Sequence, residues 1–304
     1  MASWDPDPGL YSFAGHFFDT GDGVHMHFLD EGHGPPVVML HGNPTWSFFY
    51  RDVIRLLGDH YRCVVPDHVG CGLSDKPSPE PYPYSLERRV ADLAALLDHL
   101  GLVRDVALIV HDWGGMIGTA WATRFPERVK RLVVLNTAAF HPPAGKRLPL
   151  SLKIGRSPVV GPVLIRGLNA FCRAAAEWCV VRRPLPATVR RMYLAPYDSW
   201  ANRIAVLRFV QTIPLKPSDH GYDIVSTTEQ RLGLLCEKPV LICWGMRDFV
   251  FDADFLREWE RRFPAAEVHR YADAGHYILE DAGEQVGLRI EEFLERTDPA
   301  RVGA

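Results

Sequence analysis

The chain has 304 residues, with 34 basic and 37 acidic side chains and a formal net charge of −3. So balanced a charge gives no argument for nucleic acid or an anionic membrane surface as a partner, and it points to a neutral small molecule. The length suits one α/β domain with an insertion, or two unequal domains. The opening MASWDPDPGLYSF has no positive stretch followed by an apolar one, so no signal peptide is expected. The longest apolar runs, such as 239–244, fall far below the ~20 residues of a spanning helix, so no transmembrane segment is expected either. Cys63, Cys71, Cys172, Cys179, Cys236 and Cys243 form no C-x-x-C pair. A reduced cytoplasmic protein with buried thiols is the expectation.

In chain order, short apolar runs predict strands at 24–29, 37–40, 63–66, 106–110, 132–136, 240–244 and 267–271. A turn at Gly21-Asp22-Gly23 predicts an antiparallel edge before the first of these. The others alternate with helical patterns, which implies βαβ units and a doubly wound, mostly parallel sheet. Between Pro142 and Leu235 the alternation stops and helical stretches broken by proline and glycine take over. The expected organisation is an α/β core in two parts, 1–141 and 236–304, with a helical cap inserted at 142–235.

The run Val106-Ala-Leu-Ile-Val-His-Asp-Trp-Gly-Gly115 reads as a strand, a tight turn and the start of a helix. An α/β-hydrolase places its nucleophile at such a turn, usually as the serine of G-x-S-x-G, whereas here the position falls to Asp112. Alkylation of a serine leaves an ether that water cannot open, but an alkylated aspartate is an ester that water can hydrolyse. The chemistry expected is therefore attack on an electrophilic carbon by a carboxylate, followed by clearance of a covalent intermediate.

Activating water against that ester needs a general base and a second carboxylate to orient it. His276 lies in Asp273-Ala-Gly-His-Tyr-Ile-Leu-Glu280, after the last expected strand, and Asp248 lies just past the strand at 240–244. Asp252 and Asp254 compete with Asp248 but sit where they would cap the next helix. In His41-Gly-Asn-Pro-Thr-Trp46 the backbone N–H of Asn43, together with that of Trp113, is expected to form the oxyanion hole. The Asn43 amide and the Trp113 indole N–H are separate neutral donors that could converge on a departing anion.

The segments HGNPTWSFFYR (41–51), HDWGG (111–115) and DAGHYILED (273–281) resemble the haloalkane dehalogenase family of α/β-hydrolases across nearly the whole chain. The resemblance implies displacement at carbon by Asp112, halide held by Asn43 and Trp113, hydrolysis through His276, and neither metal nor organic cofactor. Subfamilies differ in whether the third carboxylate follows the strand ending near residue 136 or the one ending near 244. Asn136 at the first place and Asp248 at the second resemble the subfamily with an Asp-His-Asp triad and an Asn-plus-Trp anion site. Epoxide hydrolases share HDWG but use tyrosines of the cap, for which Tyr193, Tyr197 and Tyr222 are available.

Three further segments, 134–140 (VLNTAAF), 195–203 (APYDSWANR) and 213–219 (IPLKPSD), are similar to the β-lactone decarboxylases of bacterial olefin biosynthesis in the same subfamily. That likeness implies a long-chain β-lactone converted to an olefin and carbon dioxide, and a multienzyme assembly with other enzymes of that route. A haloalkane hydrolysed to alcohol and halide is the alternative, ahead of an epoxide hydrolase or a hydrolase-fold protein that only binds a ligand. In each case the partner is a small apolar molecule, electrophilic if it is turned over.

Overall fold

The computed structural model describes residues 4–21, 23–80 and 82–298. Asp22 of the expected turn, and the first three residues of the N-terminal stretch, lie outside the described residues. Eight strands among the described residues form one sheet: β1 (Gly15–Asp19), β2 (His25–Glu31), β3 (Pro36–Leu40), β4 (Arg62–Pro66), β5 (Val106–Asp112), β6 (Val129–Thr137), β7 (Val240–Gly245) and β8 (Glu267–Tyr271). Their spatial order is β1-β2-β4-β3-β5-β6-β7-β8. The β1/β2 and β2/β4 pairs are antiparallel and the rest are parallel, which is the doubly wound sheet with an antiparallel edge expected from the sequence.

The inner strands are aliphatic because helices cover both of their faces. Every residue of β5 is buried. Alternation still sorts the side chains: Val38, Leu40, Leu108 and Val110 enter the core on one side of the sheet, and Val37, Met39, Ala107 and Ile109 enter it on the other. β6 begins at Val129, ahead of the expected start at Leu132. The intervening Lys130 and Arg131 look like surface residues, yet Arg131 is buried and donates from Nη2 to the Thr297 carbonyl at 2.9 Å.

Between β6 and β7 the described elements are all helical, among them Leu150–Gly155, Ala170–Trp178, Ala187–Leu194, Ile204–Gln211 and Tyr222–Arg231. They share an apolar cluster of their own that includes Leu152, Ile165, Tyr197, Val206, Leu207 and Val210. No helix among the described residues is long and apolar enough to cross a membrane. All six cysteines are free; five are buried, but Cys236 is exposed, contrary to the expectation of buried thiols throughout.

Candidate active site

The β-branched run of β5 ends at Asp112, whose backbone turns sharply (φ 49°, ψ −125°) before the helix Trp113–Ala122. Few residues other than glycine adopt a positive φ, so the surroundings must hold it. Thr137 Oγ1 on β6 donates to the Asp112 carbonyl at 2.5 Å, and Trp259 Nε1 fixes Thr137 by donating to its carbonyl at 2.7 Å. Gly114 and Gly115 let the helix start press onto the sheet, since a Cβ there would collide with the Leu40 carbonyl and the Thr137 side chain. Gly42 has the same function opposite, because a Cβ on it would overlap the Asp112 carboxylate. With that space open, Asn43 N donates to Asp112 Oδ1 at 2.7 Å.

The other carboxylate oxygen, Asp112 Oδ2, lies 3.5 Å from His276 Nε2. On the far side of the ring, His276 Nδ1 meets Asp248 Oδ2 at 2.7 Å. The loop after β7 thus brings Asp248 to the histidine from behind, and all three side chains are buried. Asp248 Oδ1 accepts from Val250 N (2.7 Å) and Phe251 N (3.1 Å), so its remaining oxygen is presented to the imidazole. Burial opposes a charge on His276, but Asp248 and Asp112 outweigh it and push its pKa up to about 10. Burial likewise opposes ionisation of Asp112, yet the hydrogen bond and charge of His276 hold its carboxyl below the usual carboxylate range. Both shifts favour an imidazolium facing an ionised carboxylate.

Asp112, His276, Asn43 and Trp113 all line one cavity of about 770 Å³. Its other walls are largely apolar and include Phe140, Leu152, Phe171, Val225 and Phe255. Trp113 packs against Phe209 at 5.2 Å between ring centroids, and its indole N–H has no acceptor among the described residues. The Asn43 amide is less free than expected. Its Nδ2 donates to the Val206 carbonyl on helix Ile204–Gln211 at 3.3 Å, and one N–H remains. Two uncommitted N–H donors therefore border the pocket beside Asp112, a disposition suited to an anion.

Other candidates fall elsewhere. Asp252 caps the helix Ala253–Arg262 by accepting from Asp254 N at 3.1 Å, and both aspartates pair with Lys146. Tyr193 donates to Glu280 at 2.5 Å and Tyr197 to the Thr45 carbonyl at 3.3 Å, so neither hydroxyl is directed at a substrate. Tyr222 lines the cavity, stacked on His141 at 4.1 Å.

Three residues escaped sequence reasoning as parts of the site. Asn136, at φ 34°, donates from Nδ2 to Asp248 Oδ2 and to the Gly245 carbonyl, both at 3.0 Å, while its Oδ1 accepts from Gly245 N at 2.8 Å. His111 donates from Nε2 to the His276 carbonyl at 2.8 Å; burial first, then His276, lowers its pKa to about 3 and keeps it neutral. Asp281 ties the His276 loop to the helical segment by accepting from Gly275 N (2.7 Å), Val181 N (2.9 Å) and Arg182 N (2.9 Å). The only sequence signal for Asp281 is its place at the end of the DAGHYILED segment.

A family model described as alpha/beta hydrolase fold matches residues 35–283. The chain is 52% identical to the cis-3-alkyl-4-alkyloxetan-2-one decarboxylase of Shewanella oneidensis, over 95% of this chain and 91% of that protein. It is 36% identical to a haloalkane dehalogenase of Mycolicibacterium paratuberculosis, over 92% of each chain. Among solved structures, a haloalkane dehalogenase from Agrobacterium tumefaciens C58 superposes with a TM-score of 0.84 at 26% identity, covering 96% of this chain and all of that one. The chain belongs to the α/β-hydrolase fold family, within the group that contains the haloalkane dehalogenases.

Proposed function

We propose that this enzyme opens cis-3,4-dialkyl β-lactones and releases an alkene and carbon dioxide, with Asp112 as the attacking carboxylate. The observation that carries the reading is the 52% identity to a protein named for that class of substrate, against 36% to a named haloalkane dehalogenase. A cavity of about 770 Å³ with largely apolar walls is suited to alkyl chains. In the proposed route an Asp112 oxygen bonds to the ring carbon bearing the lactone oxygen, and that C–O bond breaks to leave a carboxylate. Backside attack sets the new C–O bond opposite the C–CO2 bond. Loss of carbon dioxide then passes its electron pair into the C=C bond and expels Asp112, restored as a carboxylate. No water is consumed, and a cis lactone yields a cis alkene.

In this reading His276 keeps Asp112 ionised before attack and stabilises it again as it leaves. Asn43 N and Trp113 N steady the carboxylate, and the indole of Trp113 and the amide of Asn43 receive the carboxylate freed from the ring. We further propose that 142–235 acts as a cap over 1–141 and 236–304. The set of free cysteines fits a cytoplasmic location. Assembly with the enzymes that make the lactone is proposed from resemblance alone.

A second reading has one observation in its favour: the unpaired indole N–H and the spare amide N–H beside Asp112 suit a halide equally well. There Asp112 displaces the halide, and water activated by His276 hydrolyses the ester to an alcohol. Incubation of the protein with a cis-3,4-dialkyl lactone, followed by NMR at room temperature, separates the two. Equal amounts of cis alkene and carbon dioxide support the first reading. A 3-hydroxy acid, or no turnover beside halide release from a bromoalkane, contradicts it.

A further inference from the structure

The near-neutral total charge conceals a local imbalance. Residues 142–176 hold six cations, Lys146, Arg147, Lys153, Arg156, Arg166 and Arg173, and no acidic residue, in a chain of net charge −3. Lys146 and Arg156 are paired with Asp252, Asp254 and Asp219, but among the described residues no carboxylate pairs with Arg147, Lys153, Arg166 or Arg173. The same segment exposes aliphatic side chains: Leu150 is 72% exposed, Val159 73%, Leu168 60% and Val163 55%, with Ile154 and Val160 also exposed. Leu152, Gly155, Gly161 and Ile165 are buried on the inner side of this segment, so the exposed residues occupy its outer face. Helix Leu150–Gly155 packs against the turn Val160–Pro162, and the chain continues directly into Val163–Gly167. Trp200 adjoins this face, with the Arg166 guanidinium 4.5 Å from its ring centroid.

This face is also continuous with the cavity. Lys153 and Arg147 belong to its lining, as does the exposed Trp178. Aliphatic residues interspersed with unpaired cations and edged by tryptophan are the side chains that settle at an anionic lipid interface.

We propose that this face docks on an anionic lipid bilayer with the cavity mouth turned toward the lipid. A second copy of the chain is a poorer occupant, because a two-fold axis through the face would set its unpaired cations against one another. The value of docking to the enzyme rests on the lactone reading, since a dialkyl lactone partitions into the bilayer and could pass into the pocket without crossing water. The docking itself is measured without substrate, so its failure and the failure of that reading are separate results.

The test is flotation of the whole protein with vesicles of phosphatidylglycerol and phosphatidylcholine, beside vesicles of phosphatidylcholine alone. Binding at least about tenfold stronger to the anionic vesicles, weakened by high salt, is expected. A Val159→Glu/Val163→Glu protein is expected to lose about tenfold of that binding while turning over a short-chain, water-soluble lactone as before. Leu150→Glu provides an independent variant should the double substitution fail to fold. Absence of binding to anionic vesicles, or equal binding by both variants and the wild type, overturns the proposal. Conversion of a wild-type dimer to a monomer by these substitutions, without vesicle binding, also overturns it and assigns the face to a protein contact.

Discussion

Asn136 Nδ2 donates to Asp248 Oδ2 at 3.0 Å, the same oxygen that holds His276 Nδ1 at 2.7 Å. Asn136 is therefore more than a strand-end residue without a carboxylate. It holds the carboxylate that holds the His276 ring, and its amide also bridges both backbone groups of Gly245.

Substituting Asn136→Ala removes the third support of Asp248 and leaves the Gly245 N–H and carbonyl unpaired in a buried place. A loss of about 1–3 kcal/mol in stability is expected, as for other buried polar groups deprived of a partner. Turnover is expected to fall by about 10–100-fold, the range found when a contact that orients a metal-ligating side chain is removed. Urea denaturation beside steady-state rates checks both; an unchanged rate in a destabilised protein would show that Asp248 needs no help from Asn136.

The pH dependence of stability follows from the Asp112–His276 pair. Folding raises the His276 pKa from ~6.5 to about 10, so its stabilising contribution is complete below ~6.5 and is lost as pH rises toward 10. Asp112 is shifted downward, so its contribution is present above the ordinary carboxylate range and is lost as pH falls below it. Asp112→Asn is expected to lower the His276 pKa and to flatten the decline in stability between neutral and alkaline pH. NMR titration of the His276 ring in both proteins gives the answer, and an identical pKa in the two would refute the coupling.

Trp113→Phe removes the indole N–H but keeps an aromatic wall. One hydrogen bond to an anion contributes ~1.5–3 kcal/mol, so bromide or iodide affinity is expected to fall by about 10–100-fold. Halide quenching of the fluorescence of the remaining tryptophans, titrated in both proteins, reports it. An unchanged midpoint would place the anion elsewhere in the cavity.

A primary iodoalkane probes the covalent step. With His276→Ala the hydrolysis of an alkyl ester lacks its base, and peptide mass spectrometry is expected to find the alkyl group on Asp112. Probe consumed with Asp112 unmodified would mean that the carboxylate is not alkylated.

The strand–turn–helix around Asp112 was legible because a β-branched run, a carboxylate and two glycines leave few other conformations. His276 and Asp248 were legible from their places after expected strands. Asn136 was passed over because its amide acts on Asp248 across two neighbouring strands, a relation that depends on register rather than on spacing along the chain. The Asn43–Val206 contact depends on how helix Ile204–Gln211 packs, and no local pattern encodes that. The same holds for Arg131, whose buried guanidinium finds its partner in the Thr297 carbonyl at the far end of the chain.

If the Asp112 carboxylate converts a cis-3,4-dialkyl β-lactone to an alkene, a chain without that carboxylate forms almost none. The most direct measurement is alkene formation by the wild type and by Asp112→Ala, side by side, with circular dichroism confirming that both are folded. Equimolar alkene and carbon dioxide from the wild type are expected, with a loss of at least about 10³-fold in the variant. Alkene formed at an undiminished rate by folded Asp112→Ala, or none formed by the wild type, would contradict it.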